Sequence, residues 1–182
     1  MKTIKAVGVV ALLFGGVELA FAQGKLESVY TDLATRKCKT ITVDRETGSS
    51  TQSCRGIAGH RLLVHDDDAR QSITVVTPDG KKHDLNFWQV ITGGFSSLGT
   101  KAEWRVVRKN GKLSPLALIV RVNANEHPDN PNRVTSYLAV TKLTPNKICV
   151  THKITQSPNA NSDARHAADS AGAAECLKEP TP

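Results

Sequence analysis

His65-Asp66-Asp67-Asp68, within the stretch VHDDDARQS, is the densest group of chemically able side chains in the chain. Imidazole nitrogens and carboxylate oxygens bind divalent cations and move protons in hydrolysis. His65, Asp66 and Asp68 are therefore candidate metal ligands, and His60 offers a second imidazole nearby. With the aspartates these histidines would make a metal-assisted hydrolase. The surroundings argue for something plainer. A calcium loop bends at a glycine, which this stretch lacks, and Arg70 follows closely enough to neutralise one carboxylate. Zinc takes further ligands at fixed spacing, and His60 and His65 have no evident third partner. On a strand His65 and Asp67 face away from Asp66 and Asp68, whereas on a turn the four could converge. Aspartates favour turns through bonds to nearby backbone, so a solvated turn with no cofactor is the expectation.

A second candidate is TGGFSSLGT, residues 92–100. Read as a flexible loop with an apolar tip, it makes Gly93, Gly94, Phe95, Ser96 and Ser97 candidate binding residues. The plain alternative is a connection between sheets. It lacks the lysine and following helix of a phosphate cradle. The polar loop NANEHPDNPN, 123–132, reads as an exposed excursion whose oxygens could hold calcium weakly. No G-x-S-x-G or H-E-x-x-H motif is present, and no catalytic residue is assigned. Glu103 is the best candidate for a half-buried acid, with Arg105 or Arg121 as its expected partner.

The elements that must position these groups read as short strands separated by turn chemistry. Residues 39–43, 61–64, 72–77 and 81–85 are candidate strands, the last two joined by Pro78-Asp79-Gly80 with Gly80 at positive φ. Residues 102–108 and 116–122 flank Lys109-Asn110-Gly111. A three-residue loop puts Trp104 opposite Leu116, and a two-residue loop puts it opposite Ala117. The first keeps Trp104 among leucines and is preferred. Trp104 and Val106 then face the core, while Glu103, Arg105, Ile119 and Arg121 share the other face. Residues 134–143 and 147–155 pair through Thr144-Pro145-Asn146. Ser157 can cap a helix beginning at Pro158, with Ala160, Ala164, Ala167, Ala168 and Ala171 on one stripe.

Lys2 and Lys5, the uncharged run 6–17 and the small-x-small site Ala20-Phe21-Ala22 have the layout of a secretory signal, with cleavage before Gln23. The apolar run is too short to span a bilayer. Residues 1–22 are thus read as a signal peptide and 23–182 as a single domain, periplasmic or secreted. Removing Lys2, Lys5 and Glu18 takes the formal charge from +7 to +6. That balance favours acidic envelope polymers or anionic lipid headgroups, but basic residues without interleaved aromatics make no nucleic-acid platform. Cys38, Cys54, Cys149 and Cys176 are an even set in an exported chain, so two disulfides are expected. Cys38–Cys54 and Cys149–Cys176 are favoured because each closes a short local loop. No C-x-x-C pair suggests a metal.

The pattern Val29-Tyr30-Thr31-Asp32-Leu33, Cys38, Cys54-Arg55-Gly56 with Gly59, then Gly99, Glu103-Trp104-Arg105, Cys149 and an alanine-rich helix ending at Cys176 resembles a family of small exported bacterial proteins with no assigned activity. The resemblance implies export, one domain and two local disulfides, and carries no site residues. A looser likeness to periplasmic lysozyme inhibitors is one of fold style alone. The expected fold is α+β: a mostly antiparallel sheet or β-sandwich with one C-terminal helix. The expected function is non-enzymatic binding of an unidentified partner or ligand in the cell envelope. The alternatives are inhibition of a cell-wall hydrolase through the Gly93 loop, and the metal-assisted hydrolase.

Overall fold

The computed structural model describes residues 24–130 and 133–178. The expected signal segment, its cleavage site, Pro131, Asn132 and the closing residues 179–182 lie outside them. Ten strands are described: β1 (Lys25–Asp32), β2 (Lys39–Val43), β3 (Ser50–Arg55), β4 (Arg61–Asp67), β5 (Arg70–Val76), β6 (Lys82–Asp84), β7 (Ser96–Lys109), β8 (Lys112–Ala124), β9 (Thr135–Leu143) and β10 (Ile148–Thr155). A single helical turn, α1 (Phe87–Val90), precedes β7, and α2 (Ala160–Ser170) is the one C-terminal helix. All strands belong to one sheet, ordered β10-β9-β8-β7-β5-β4-β3-β2, with β1 also on β7 and β6 also on β5. Neighbours are antiparallel except at the seam, where Arg70 of β5 pairs in parallel with Ser96 of β7. The sheet is therefore mixed.

Period-two alternation decides which residues meet. Leu62 and Val64 of β4 and Ile73 and Val75 of β5 turn inward with Cys54 of β3. They join Trp104, Val106, Leu118, Val120 and Val122 from β7 and β8 in one core. A smaller cluster lies on the opposite face of β8 and β9. There Ala117, Ile119, Leu138 and Val140 receive Ala160, Ala164 and Ala168 of α2 and Ala171 just after it. Alanine at this spacing lets the helix sit close to the sheet. The helix starts two residues later than expected. The Ser157 hydroxyl accepts from Asn159 N–H at 3.2 Å, so Ser157-Pro158-Asn159 is a turn and Asn159 takes the cap position.

The β7–β8 hairpin corrects the expected register. Its loop has two residues, Asn110 (φ 50°) and Gly111 (φ 74°), both in the left-handed conformation that such a turn requires. Val106 pairs with Pro115 but Arg105 with Ala117, so Leu116 is the extra residue of a bulge. The bulge restores Trp104 to a leucine, Leu118, rather than Leu116 or Ala117. The second face forms as read, with Glu103, Arg105, Ile119 and Arg121 together, but α2 covers it. Arg105 clamps Asp169 through Nε and Nη2 at 2.7 and 2.9 Å. Glu103 pairs with Arg165 of α2 at 2.6 Å, not with Arg105 or Arg121.

Both disulfides form as paired from the sequence, Cys38–Cys54 and Cys149–Cys176. The first ties the segment before β2 to the core at Cys54, and the second ties the chain beyond α2 to β10. No described helix is long and apolar enough to cross a membrane.

Candidate functional site

The aspartate stretch is a strand end followed by a tight turn. His65, Asp66 and Asp67 complete β4, and Asp68 and Ala69 (φ 49° and 56°) make the turn into β5. Alternation then separates the candidate ligands. His65 lies on the polar outer face with Thr51, Ser72 and Thr74, whereas Asp66 lies on the inner face and accepts from Gln71 at 2.9 Å. Asp68 is exposed and pairs with Arg70 at 2.6 Å. His60 belongs to the turn before β4, bonded to Ile57 O at 3.2 Å, with its ring 5.9 Å from that of Trp104. Five residues of strand put it roughly 16 Å from His65. Among the described residues, no three His, Cys, Asp or Glu side chains are grouped to hold a metal.

The outer face around His65 instead floors a cleft of about 530 Å³. Its walls come from β2 and β3 (Thr42, Thr51), the end of β4 (His65, Asp67) and β6 to α1 (Asp84, Trp88). The rim aromatic is placed by one backbone kink. Asn86 takes φ 47°, turning the chain sharply from β6 into α1. Phe87 then points fully inward, its N–H donating to Ser72 Oγ at 3.1 Å, and Trp88 points out, 39% exposed. The other tryptophan, Trp104, is buried completely.

A directed chain of hydrogen bonds fixes the floor. The Thr74 hydroxyl donates to the Asp84 carboxylate, which can only accept. Thr74 Oγ1 is then the acceptor for His65 Nε2–H at 2.8 Å, leaving Nδ1 to accept from the Thr51 hydroxyl at 3.2 Å. The ring is held neutral. Burial lowers its pKa below the ordinary 6.5, Asp84 opposes this, and Lys82 adds to it. The result is a rigid imidazole between two threonines, beside an exposed indole. Asp67 and Asp84 oppose Arg70 and Lys82 around the cleft, so its formal charge is balanced.

The second candidate loop is shorter than expected. Only 91–95 connects α1 to β7, because Ser96 and Ser97 already pair with Ala124 and Asn123. Gly93 is exposed. Gly94 is pressed against the chain, where a Cβ would lie 2.9 Å from Asn125 O. Thr92 N–H donates to Phe87 O at one end, and Asn125 N–H to Phe95 O at the other, so both ends of the segment are tied. Phe95 is 49% exposed, with the Arg70 guanidinium 5.1 Å from its ring centre. Ser96 is buried and Ser97 lines a smaller cavity of about 320 Å³ on the inner side of the seam. The structure thus joins His65 and Asp67 at the cleft, turns the Asp66 carboxylate to the other face, and leaves Gly93 to Ser97 beyond its wall.

Sequence reasoning missed Thr51, Thr74, Asp84 and Trp88. The available signal was Asn86-Phe87-Trp88, two adjacent aromatics after a hairpin, which cannot both be buried on one short turn. Comparison with protein-family models, curated proteins and solved structures finds no match to this chain.

Proposed function

We propose that this is an exported, non-enzymatic protein of the cell envelope that binds a neutral saccharide in the Trp88 cleft. The observation that carries the reading is the exposed indole standing beside a floor of fixed hydroxyl, imidazole and carboxylate groups. An indole face covers the C–H side of a sugar ring, while oriented donors and acceptors pair with its hydroxyls. Two carboxylates against two cations leave no excess positive charge for a polyanion here. The two disulfides, the layout of the first 22 residues and the resemblance to small exported proteins support the compartment.

The test uses the two tryptophans. Titrating the protein with chito-oligosaccharide should shift emission from exposed Trp88 and give saturable heat by calorimetry. Trp88→Ala should abolish both while buried Trp104 still reports a folded core. No saturable change up to about 10 mM, the weak end of useful affinity, overturns the reading.

A second reading rests on the hydrogen-bond chain. Thr51 O–H donates to a neutral imidazole whose other nitrogen is fixed through Thr74 and Asp84. A hydroxyl so placed is an activated nucleophile for acyl transfer. Fluorophosphonate labelling that maps to Thr51 and is lost in His65→Ala would establish it, and an unlabelled protein would exclude it.

A further inference from the structure

We propose that one end of the molecule, at the other end of β4 from His65, is a docking surface for an anionic lipid bilayer. The turns at 56–60, 77–81 and 144–147 share this end. A Cβ added at Gly59 would press on Pro78 at 3.2 Å, and His60, Lys81, Pro115 and Pro145 line one shallow cavity. From Pro115 the β7–β8 hairpin continues roughly 10 Å beyond it.

Cations gather here in a costly arrangement. Arg55 faces Arg61 across β3–β4, Lys25 faces Arg108 across β1–β7, and Lys109 faces Lys112 across the hairpin tip. Like charges directly opposite destabilise a strand pair, and an opposite-charge pair would serve the fold better. Three such pairs at one end are what an external polyanion would select. Lys81 and Lys147 add two more exposed cations. The carboxylates at this end are Glu27 and Asp79, already paired with Arg108 at 2.5 Å and Lys81 at 2.9 Å, and Glu175 beside the Cys149–Cys176 bond. Eight cations therefore stand against three anions. The opposite end carries the reverse balance. Asp44, Glu46, Asp67, Asp68, Glu126 and Asp129 lie in or beside its turns, with Arg45, Arg70, Arg133 and Lys153. The molecule is an electrostatic dipole.

An apolar contact beside the cations selects a bilayer over a soluble polymer: Leu26, 44% exposed next to Lys25, can enter a leaflet but gains nothing from a hydrated polyanion. The surface is independent of the saccharide cleft, and neither reading needs the other.

Each cation brought to an anionic leaflet strengthens binding about fivefold. The exported protein is sedimented with vesicles of equal phosphatidylglycerol and phosphatidylcholine, and with phosphatidylcholine alone. Binding should require the anionic lipid and weaken steeply with salt. Lys109→Gln/Lys112→Gln should lose about 25-fold in affinity and Lys109→Glu/Lys112→Glu more, both with unchanged circular dichroism. Arg45→Glu/Arg133→Glu, which shifts net charge equally at the far end, should lose less than about twofold. Equal loss in both pairs, binding to phosphatidylcholine alone, or binding to soluble polyphosphate as tight as to vesicles overturns the proposal. The same readings stand whether or not chito-oligosaccharide binds.

Discussion

Replacing Cys149 and Cys176 by alanine should release α2 before the sheet unfolds. The two cysteines are 27 residues apart, and a loop of that length is worth about 3.6 kcal/mol in the chain-entropy treatment. Against this, the apolar docking of the helix is small. Ala160, Ala164, Ala168 and Ala171 bury four methyl groups, about 3 kcal/mol together. The polar anchors are the two-point Arg105–Asp169 clamp and the Glu103–Arg165 pair, whose arginine is 41% exposed and so discounted by solvent. An isolated helix of 11 residues has little stability of its own. The crosslink is thus as large as the apolar docking, and its loss leaves α2 the weakest cooperative unit.

Hydrogen exchange in low denaturant reads this directly. In the variant, amides of α2 should exchange through an opening with a small denaturant dependence, while β8 and β9 keep the large dependence of global unfolding. The melting temperature should fall by about 7–14 °C at 2–4 °C per kcal/mol. If α2 and β8–β9 amides exchange together with the same denaturant dependence, the helix is integral to the core and the argument from small buried area fails.

Other expectations follow from charge and backbone geometry. Burial alone would raise the Glu103 pKa, but bonds from Arg165 and Ser28 outweigh it and hold it below the ordinary 4.5. Its stabilising contribution is therefore complete above pH 4.5 and lost as pH falls through the lower folded value, so Glu103→Gln should flatten the acid limb of stability against pH. His65 behaves in the same direction for a different reason: its neutral ring favours the fold fully above pH 6.5, and that advantage is lost as pH falls, a slope that chemical denaturation should find missing in His65→Asn. Ala69→Gly should stabilise by about 1 kcal/mol in urea titration, since φ 56° strains an L-residue that glycine tolerates.

Strands with one plain apolar face were legible. Residues 39–43, the hairpin at Pro78-Asp79-Gly80, the pair ending in β10 and the alanine stripe all follow from local pattern and turn chemistry. So do both disulfides, because each closes a local loop. β3 was not legible: STQSCR buries only Cys54 fully, and its hydroxyls read as loop until β2 and β4 flank it. The β7–β8 register was misread for a related reason. Turn rules count residues from the loop, whereas the bulge at Leu116 slips the pairing by one beyond it. The cleft was hidden because its parts come from six elements, each looking like ordinary surface. Thr51, Thr74 and Asp84 acquire meaning only when pairing aligns them beside His65. Consecutive aspartates suggested a cluster, yet strand alternation is what disperses them.

The two proposed surfaces constrain each other through that same alternation. Along β4 the chain runs from Arg61 at the basic end to Asp67 at the acidic end, roughly 20 Å. His65 and Asp67 therefore place the cleft toward the end that a bilayer repels. A protein seated on lipid by Arg61, Lys109 and Lys112 would hold Trp88 away from the headgroups, open to whatever lies beyond the membrane. The field that orients the molecule also disfavours anionic polymer at the cleft, because Asp67 lines it and Asp44, Glu46 and Asp68 lie in the turns that follow its β2 and β4 walls. Selectivity for a neutral ligand in the cleft and for an anionic surface at the far end thus has one origin, the sorting of charge between the two sets of turns that close the strands.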